Sequence, residues 1–237
     1  MKTKEERSGV AIKILFIIIS LGLWECVARL QLFGQQSELV FPTIERIGQA
    51  FINNFVKGYG GISLWIYIIN SMKLLIAGLV IGVVLSCLLS GLAIVNKSFY
   101  HIYNLMVSIF DLLPGVALLP VVIIIFGVKA QVIIFMVVHA VIWPMSRNIL
   151  DGFMAVPSIY IEAGVNIGLK GMSLLTGVYL PASMTYFLSG LKAGWARAWR
   201  GLISAEMIFG IASCPGIGLY INQMRTSMMS DGTLWEV

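Results

Sequence analysis

The chain has 237 residues, with 16 Lys and Arg against 11 Asp and Glu for a formal net charge of +5; 59% of residues are hydrophobic and only 11% charged. A soluble domain carries roughly 25% charged residues, so this composition excludes an ordinary soluble globular protein and places the chain in lipid. The three cysteines, Cys26, Cys87 and Cys214, are odd in number and scattered, which argues against a disulfide framework and a metal site.

In chain order, residues 12–33 form the first apolar run. Lys2, Lys4, Arg7 and Lys13 lie before it or at its edge, predicting an N-terminus that stays in the cytoplasm. A cleaved signal peptide is the competing reading; the length of the run and the lack of a clean small-residue cleavage site count against it. Residues 34–65 read as an outer amphipathic segment. Residues 74–95, LLIAGLVIGVVLSCLLSGLAIV, run 22 positions without a charge. At about 1.5 Å per residue this crosses a ~30 Å hydrocarbon core. Gly78, Gly82 and Gly91, with Ser86 and Ser90, put small residues where helices pack closely. Further apolar runs at 102–126, 130–149 and 180–210 bring the expected spans to five. Strand alternation is absent from all of them, so the expected fold is an all-α integral membrane bundle. Counting crossings puts residues 96–101 and the 147–179 loop inside, and 34–65, 127–129 and the 211–237 tail outside. Four regions follow: 1–33, N-terminus and first span; 34–65, outer segment; 66–210, transmembrane core including loop 147–179; and 211–237, outer tail.

The third span contains DLLPGVALLPVVIIIFG. A proline within a helix removes a backbone donor and clashes with the preceding turn, so Pro114, reinforced by Gly115, and Pro120 are expected to kink or break this span. A broken helix at membrane depth is tolerated where it lines a cavity, which makes Pro114 and Gly115 candidates for a translocation path. An ordinary proline kink with a packing role is the alternative.

In the long inner loop, SIYIEAGVNIG has the marks of a short helix. Pro157 and Ser158 open it, Glu162 lies toward the positive end of its dipole, and Gly168 is where it should stop. Ala163 and Gly164 are small enough for a partner surface to approach, and Ile159, Ile161, Ile167 and Leu169 supply apolar knobs. Two readings stand side by side: a docking helix at the base of the bundle, or an amphipathic helix resting on the membrane surface.

The fifth span, LKAGWARAWRGLISAEM, carries Lys192, Arg197, Arg200 and Glu206. Charges in the bilayer are costly and face a bundle interior or water. Lys192, Arg197 and Glu206 can reach the interface if the span tilts, whereas Arg200 lies deeper. At 100° per residue Arg197 and Arg200 lie within about 60° of each other, while Arg200 and Glu206 are about 240° apart and not an intrahelical pair. Trp195 and Trp199, four residues apart, share a stripe beside the arginines. Trp199, Arg200 and Glu206 therefore join the candidate path, suited to an anionic or aromatic small solute. The alternative places the arginines at the cytoplasmic interface with the tryptophans as belt residues. His101 and His139 are isolated, Asp111 and Asp151 lack a partner at useful spacing, and no G-x-x-x-x-G-K-[ST] occurs, so the chain has no ATPase site of its own.

Several of these stretches resemble bacterial ABC importer permeases. Glu162-Ala163, then Gly168 six residues after the glutamate, then Leu180-Pro181 is similar to the EAA loop of that family, with Gly164 where its members usually have a second alanine. DLLPGVALLPVVIIIFG, GLKAGWARAWRGLISAEMIFG followed by GIGLYI, and FPTIERIGQAF resemble segments of the taurine, sulfonate and nitrate branch, and the likeness runs from about residue 12 onward. It implies a type I ABC importer permease-like bundle. Glu162, Ala163, Gly164, Gly168 and Leu169 would form the coupling helix gripped by the ATPase. The implied partners are two cytoplasmic ATP-binding subunits, a second permease copy and an external or periplasmic solute-binding protein, with membrane lipid around the bundle and no nucleic acid. No cofactor is expected on this chain; ATP-Mg would sit on the partner ATPase. The implied setting is a bacterial inner membrane crossed several times. Family members usually continue into one more helix, so a sixth span is expected to be missing here, unless the protein differs from its relatives. An ion-coupled secondary transporter or channel is the alternative function, and a membrane-embedded enzyme is disfavoured by the absence of paired carboxylates or a His cluster.

Overall fold

The computed structural model describes residues 4–31, 40–56, 60–210 and 214–230, and its regular elements are helices. The chain divides into two compact units, residues 1–64 with 224–237, and residues 65–223.

In the first unit, α1 (Lys4–Leu30) and α2 (Ile44–Val56) are joined by polar contacts. Glu25 pairs with Arg29 one turn on and accepts the Ile44 N–H at 3.0 Å, placing a carboxylate at the positive end of α2. The Trp24 indole donates to the Pro42 carbonyl at 2.9 Å. Ile44, Ile47, Phe51, Ile52 and Phe55 leave one exposed apolar face on α2, the amphipathic character expected between 34 and 65. Residues 32–39 and 57–59 of that segment lie outside the described residues.

The second unit is built from α3 (Leu64–Val95), α4 (Lys97–Phe110), α5 (Gly115–Phe126), α6 (Ala130–Met154), α7 (Ser158–Asn166), a helical stretch α8 (Met172–Ala182) and α9 (Met184–Phe209), with the start of α10 (Ile217–Ser230). The helix α6 is its axis: Val132, Ile133, Val137, Val141 and Met145 are all buried. Two glycine pairs, each spaced four residues, let neighbouring backbones approach it. A methyl group built on Gly78 or Gly82 of α3 would meet Val137 at 2.5 Å or Val141 at 2.8 Å. From α9, one on Gly190 would meet Asn148 at 2.9 Å, and one on Gly194 would meet Val141 at 3.4 Å. Without a hydrophobic driving force between helices in lipid, dispersion contacts at this close range and hydrogen bonds hold the bundle. One such bond links α3 to α6: buried Ser86 donates to the carbonyls of Gly82 at 2.6 Å and Ile142 at 3.2 Å. The small face read on the second span is thus a packing face.

Among the described residues, three helices are long and apolar enough to cross a membrane alone: Gly9–Leu30, α3 and α6. Two bent pairs, α4 with α5 and α8 with α9, raise the number to five if each is one span. The first pair bends by 102°, with the break between Phe110 and Gly115 beside Pro114; the second bends by 75°. Pro120 sits inside α5 without breaking it, as Pro144 does inside α6. Each removes a single i→i−4 donor from an otherwise continuous helix. Part of the tail read as an outer segment is helical, as α10.

Replacing Gly78 with Leu forces four heavy atoms into the Val137 contact and should destabilise the bundle by about 1–3 kcal/mol or prevent its assembly. Gly22→Leu, where no atom lies within 4 Å, should be tolerated. Thermal unfolding of the detergent-solubilised protein compares the two, and equal melting temperatures would refute the close-packing account.

Candidate functional site

The break after α4 is organised by Asp111. Its own N–H closes α4 by bonding to the Val107 carbonyl at 3.0 Å, and its carboxylate takes a guanidinium from each of two other helices. Arg147 of α6 donates through Nε to Oδ2 at 3.1 Å. Arg197 of α9 donates to Oδ1 and also to the Asp111 main-chain carbonyl, at 3.2 Å for the latter, so one side chain neutralises the carboxylate and satisfies a carbonyl freed by the break.

Beside this cluster lies a hollow of about 390 Å3. Pro114 and Gly115 form one side, and Arg197, Arg200 and Ser204 of α9 another. Phe110 and Trp143, stacked with ring centres 4.8 Å apart, and His139 complete it. Arg200 has no hydrogen-bond or ion-pair partner among the described residues. Of the five residues assigned to a path from sequence, the structure therefore brings together Pro114, Gly115 and Arg200.

The other two lie elsewhere. Trp199 packs on the main core between α3 and α6, and Trp195 is exposed. The aromatic wall beside the arginines comes instead from α4 and α6.

Glu206 neither reaches the interface nor lines the hollow: it is 1% exposed. The Ser71 hydroxyl lies 2.8 and 2.9 Å from its two oxygens and donates to them. The Gly218 N–H donates to Oε2 at 2.9 Å, and the Ile217 N–H to Ser71 Oγ at 2.8 Å. The carboxylate thus occupies the N-terminus of α10, where orphan N–H groups and the helix dipole favour it. A side chain on Gly216 would overlap the Glu206 carboxylate, and one on Gly218 the Ile203 carbonyl. Asn70 donates to the Pro215 carbonyl at 3.0 Å and Tyr67 to Gln223 at 3.2 Å, completing a polar seam between α3 and the start of α10.

A second candidate region is the loop carrying α7. Pro157 precedes the helix, and Gly168 ends it at φ +88°, the left-handed position that favours glycine. The Leu169 N–H bonds back to the Gly164 carbonyl at 3.0 Å and the Gly168 N–H to Val165 at 2.9 Å, a Schellman ending. Ile159, Tyr160, Val165 and Ile167 are exposed, as are Glu162 and Ala163. Gly164 is not: it is buried, and a methyl group there would meet Leu174 and Val178 at 2.8 Å. Its smallness admits α8 rather than a partner surface. Leu169 turns the same way, its Cδ1 within contact range of Gly164 and Gly177, so it is not an exposed knob. Between α7 and α8 runs a groove of about 720 Å3 with Tyr160, Ala163, Ile167 and Pro181 on its walls.

Sequence reasoning missed the partners of Asp111, which lie 36 and 86 positions away, and the contribution of Trp143 and His139. The one available signal was the shared helical face of Arg197 and Arg200, which called for an anion on a neighbouring helix.

A broken span, a cationic hollow beside it and a capped helix in a long loop define a polytopic membrane transport component. Residues 78–235 match the family model described as binding-protein-dependent transport system inner membrane component, and the chain belongs to that family. It is 26% identical over 93% of its length to a putative ABC transporter permease protein of Methanocaldococcus jannaschii, covering 79% of that protein. It is 25% identical over 95% of its length to the taurine transport system permease protein TauC of Escherichia coli, covering 80% of it. To the nitrate import permease protein NrtB of Synechocystis it is 24% identical over 95% of its length, covering 79%. The likeness to the taurine and nitrate branch of ABC importer permeases, noted on short motifs, thus extends along nearly the whole chain.

The Glu206 network yields a direct test. Glu206→Leu leaves the Ser71 hydroxyl and the Gly218 N–H without an acceptor and should cost about 1–3 kcal/mol, whereas Glu206→Gln keeps an acceptor and should lose less. Limited proteolysis after residue 210, compared between the two variants, reads whether α10 has come loose.

Proposed function

We propose that this chain is the membrane-spanning subunit of an ATP-driven importer that passes a small anionic solute from an external binding protein to the cytoplasm. The observation that carries the anionic part is Arg200, an exposed guanidinium with no ion-pair partner among the described residues, lining the hollow beside the broken helix. At bilayer depth such a charge costs about 2.5–3.5 kcal/mol on the insertion scale unless it faces water, protein or a ligand. The taurine and nitrate systems among its relatives carry solutes with an anionic group, which agrees with that chemistry.

Energy enters from partners in this reading. Two cytoplasmic ATPase subunits grip α7 through its exposed Ile159, Tyr160 and Ile167, with Glu162 and Ala163 on the same surface, and two permease copies enclose one pathway. The Gly168 ending makes α7 a short, stiff element, suited to transmitting a push into α8 through Gly164. The N-terminus and the α7 loop lie in the cytoplasm of a bacterial inner membrane.

Proteoliposomes containing the permease, its ATPase and the binding protein test both parts. Arg200→Ala should reduce anion uptake at least tenfold while assembly with the ATPase persists, and unchanged uptake would remove Arg200 from the path. Glu162→Lys, or Gly168→Val at its left-handed position, should uncouple ATP hydrolysis from uptake or prevent ATPase binding while membrane insertion is retained. Normal transport by both would show that the ATPase docks elsewhere.

A further inference from the structure

A separate groove of about 490 Å3 runs between the end of α3 and the helices α6, α8 and α9. Leu88, Gly91, Leu92 and Val95 form its wall along α3, with Phe153 of α6 and Phe187 of α9 among the residues that face them. Two lining side chains carry hydroxyls, and both are spent on carbonyls of the preceding turn: Thr176 donates to Met172 at 3.0 Å and Ser183 to Tyr179 at 2.7 Å. A cavity that offers water no free polar partner stays dry. The rim is open, since Leu92 on α3 and Met172 on α8 are both exposed. The α3 wall is the last part of the uncharged run 74–95, so the groove opens at bilayer depth, where the solvent is hydrocarbon.

One end of the groove is cationic. Gly91 of α3 stands level with Leu175 of α8, a methyl group built on it lying 3.1 Å from the leucine Cδ2. One turn beyond that contact α3 ends at Val95 and α8 begins at Met172, both of them lining residues. Lys97 and Lys170 each lie two residues from these, within about 8 Å along the backbone. Both are exposed, and neither has an ion-pair partner among the described residues. An apolar slot that ends at two ammonium groups fits a hydrocarbon chain with an anionic head, and basic pockets between transmembrane helices capture lipids of that kind. A free phosphate has no use for the slot, and a neutral lipid none for the lysines.

We infer that this groove binds one acyl chain of an anionic phospholipid, with the head group held by Lys97 and Lys170 in the leaflet on the α7 side. The site is independent of the solute the protein carries. It does share an element with the α7 loop. Leu174 and Val178 of α8 face Gly164 of α7, whereas Leu175 and Thr176 of the same stretch face the groove. A bound chain therefore backs the helix on which α7 rests and fills the space between it and α3.

The test is native mass spectrometry of the full chain released from detergent micelles that contain equal amounts of phosphatidylglycerol and phosphatidylcholine with identical acyl chains. Phosphatidylglycerol should stay bound under activation that strips phosphatidylcholine. Lys97→Gln combined with Lys170→Gln should lower that preference at least about tenfold. Leu92→Trp, which builds an indole into the groove from an exposed position, should abolish retention of either lipid at an unchanged melting temperature, and Thr176→Phe should do the same from α8. The lysine pair is exposed, so it reads the site even where a filling variant does not assemble. Equal retention of the two lipids by the unaltered chain, or full retention in both filling variants, would overturn the site. The same spectra count chains: if Leu92→Trp splits a complex of two chains and leaves lipid retention unchanged, the groove is a contact between copies and the lipid site is overturned. No transport enters the measurement, so either failure leaves the proposed function standing.

Discussion

Everything in the second unit depends on how closely two helices can come to α6. Val141 is touched from one side by the bare backbone at Gly82 and from the other by that at Gly194, with Gly78 and Gly190 extending the two seams. In lipid this replaces the hydrophobic effect with dispersion at short range, which falls away within an ångström of added separation. Because α6 also bears Trp143, His139 and Arg147, the side chains around the hollow inherit their positions from those two seams. Arg197 and Arg200 inherit theirs from α9, held to α6 by the same glycines.

Polar groups of the second unit differ in how fully they are paired. Away from the hollow, Glu206 has the Ser71 hydroxyl and the Gly218 N–H as partners, and Tyr103 shares a hydrogen bond of 2.6 Å with Ser146. Around the hollow, satisfaction is incomplete, with Arg200, His139 and Trp143 Nε1 unpaired within a few residues of a fully engaged Asp111. The contrast lies within a single helix, since Glu206 and Arg200 both belong to α9 and face different ways around it.

Much of the architecture was legible because its causes are local. Long apolar runs declare helices in lipid, Pro114 next to Gly115 declares a break, and a 100° periodicity puts Arg197 and Arg200 on one face. What was not legible depends on which helices become neighbours. Asp111 looked unpartnered because its guanidiniums arrive from other helices, and Glu206 looked like a path residue because Ser71 lies 135 positions away. Gly164 shows the same limit on a smaller scale. A small residue on a short helix invites a partner, and only the fold reveals that α8 of the same chain fills the space.

The helix α5 is attached differently from its neighbours. It meets the bundle through Leu119 and Val122, packed against Val132, Met136 and Ala205, while Ile124 and Ile125 stay exposed. At one end it hangs from the Asp111–Pro114 bend and at the other from Gly127 and the two residues that lead into α6. An element tethered so briefly at both ends, and packed along its length through Leu119 and Val122, keeps its Gly115 end fixed beside the hollow, so the shape of that opening is set by the same contacts that seat the helix on the bundle.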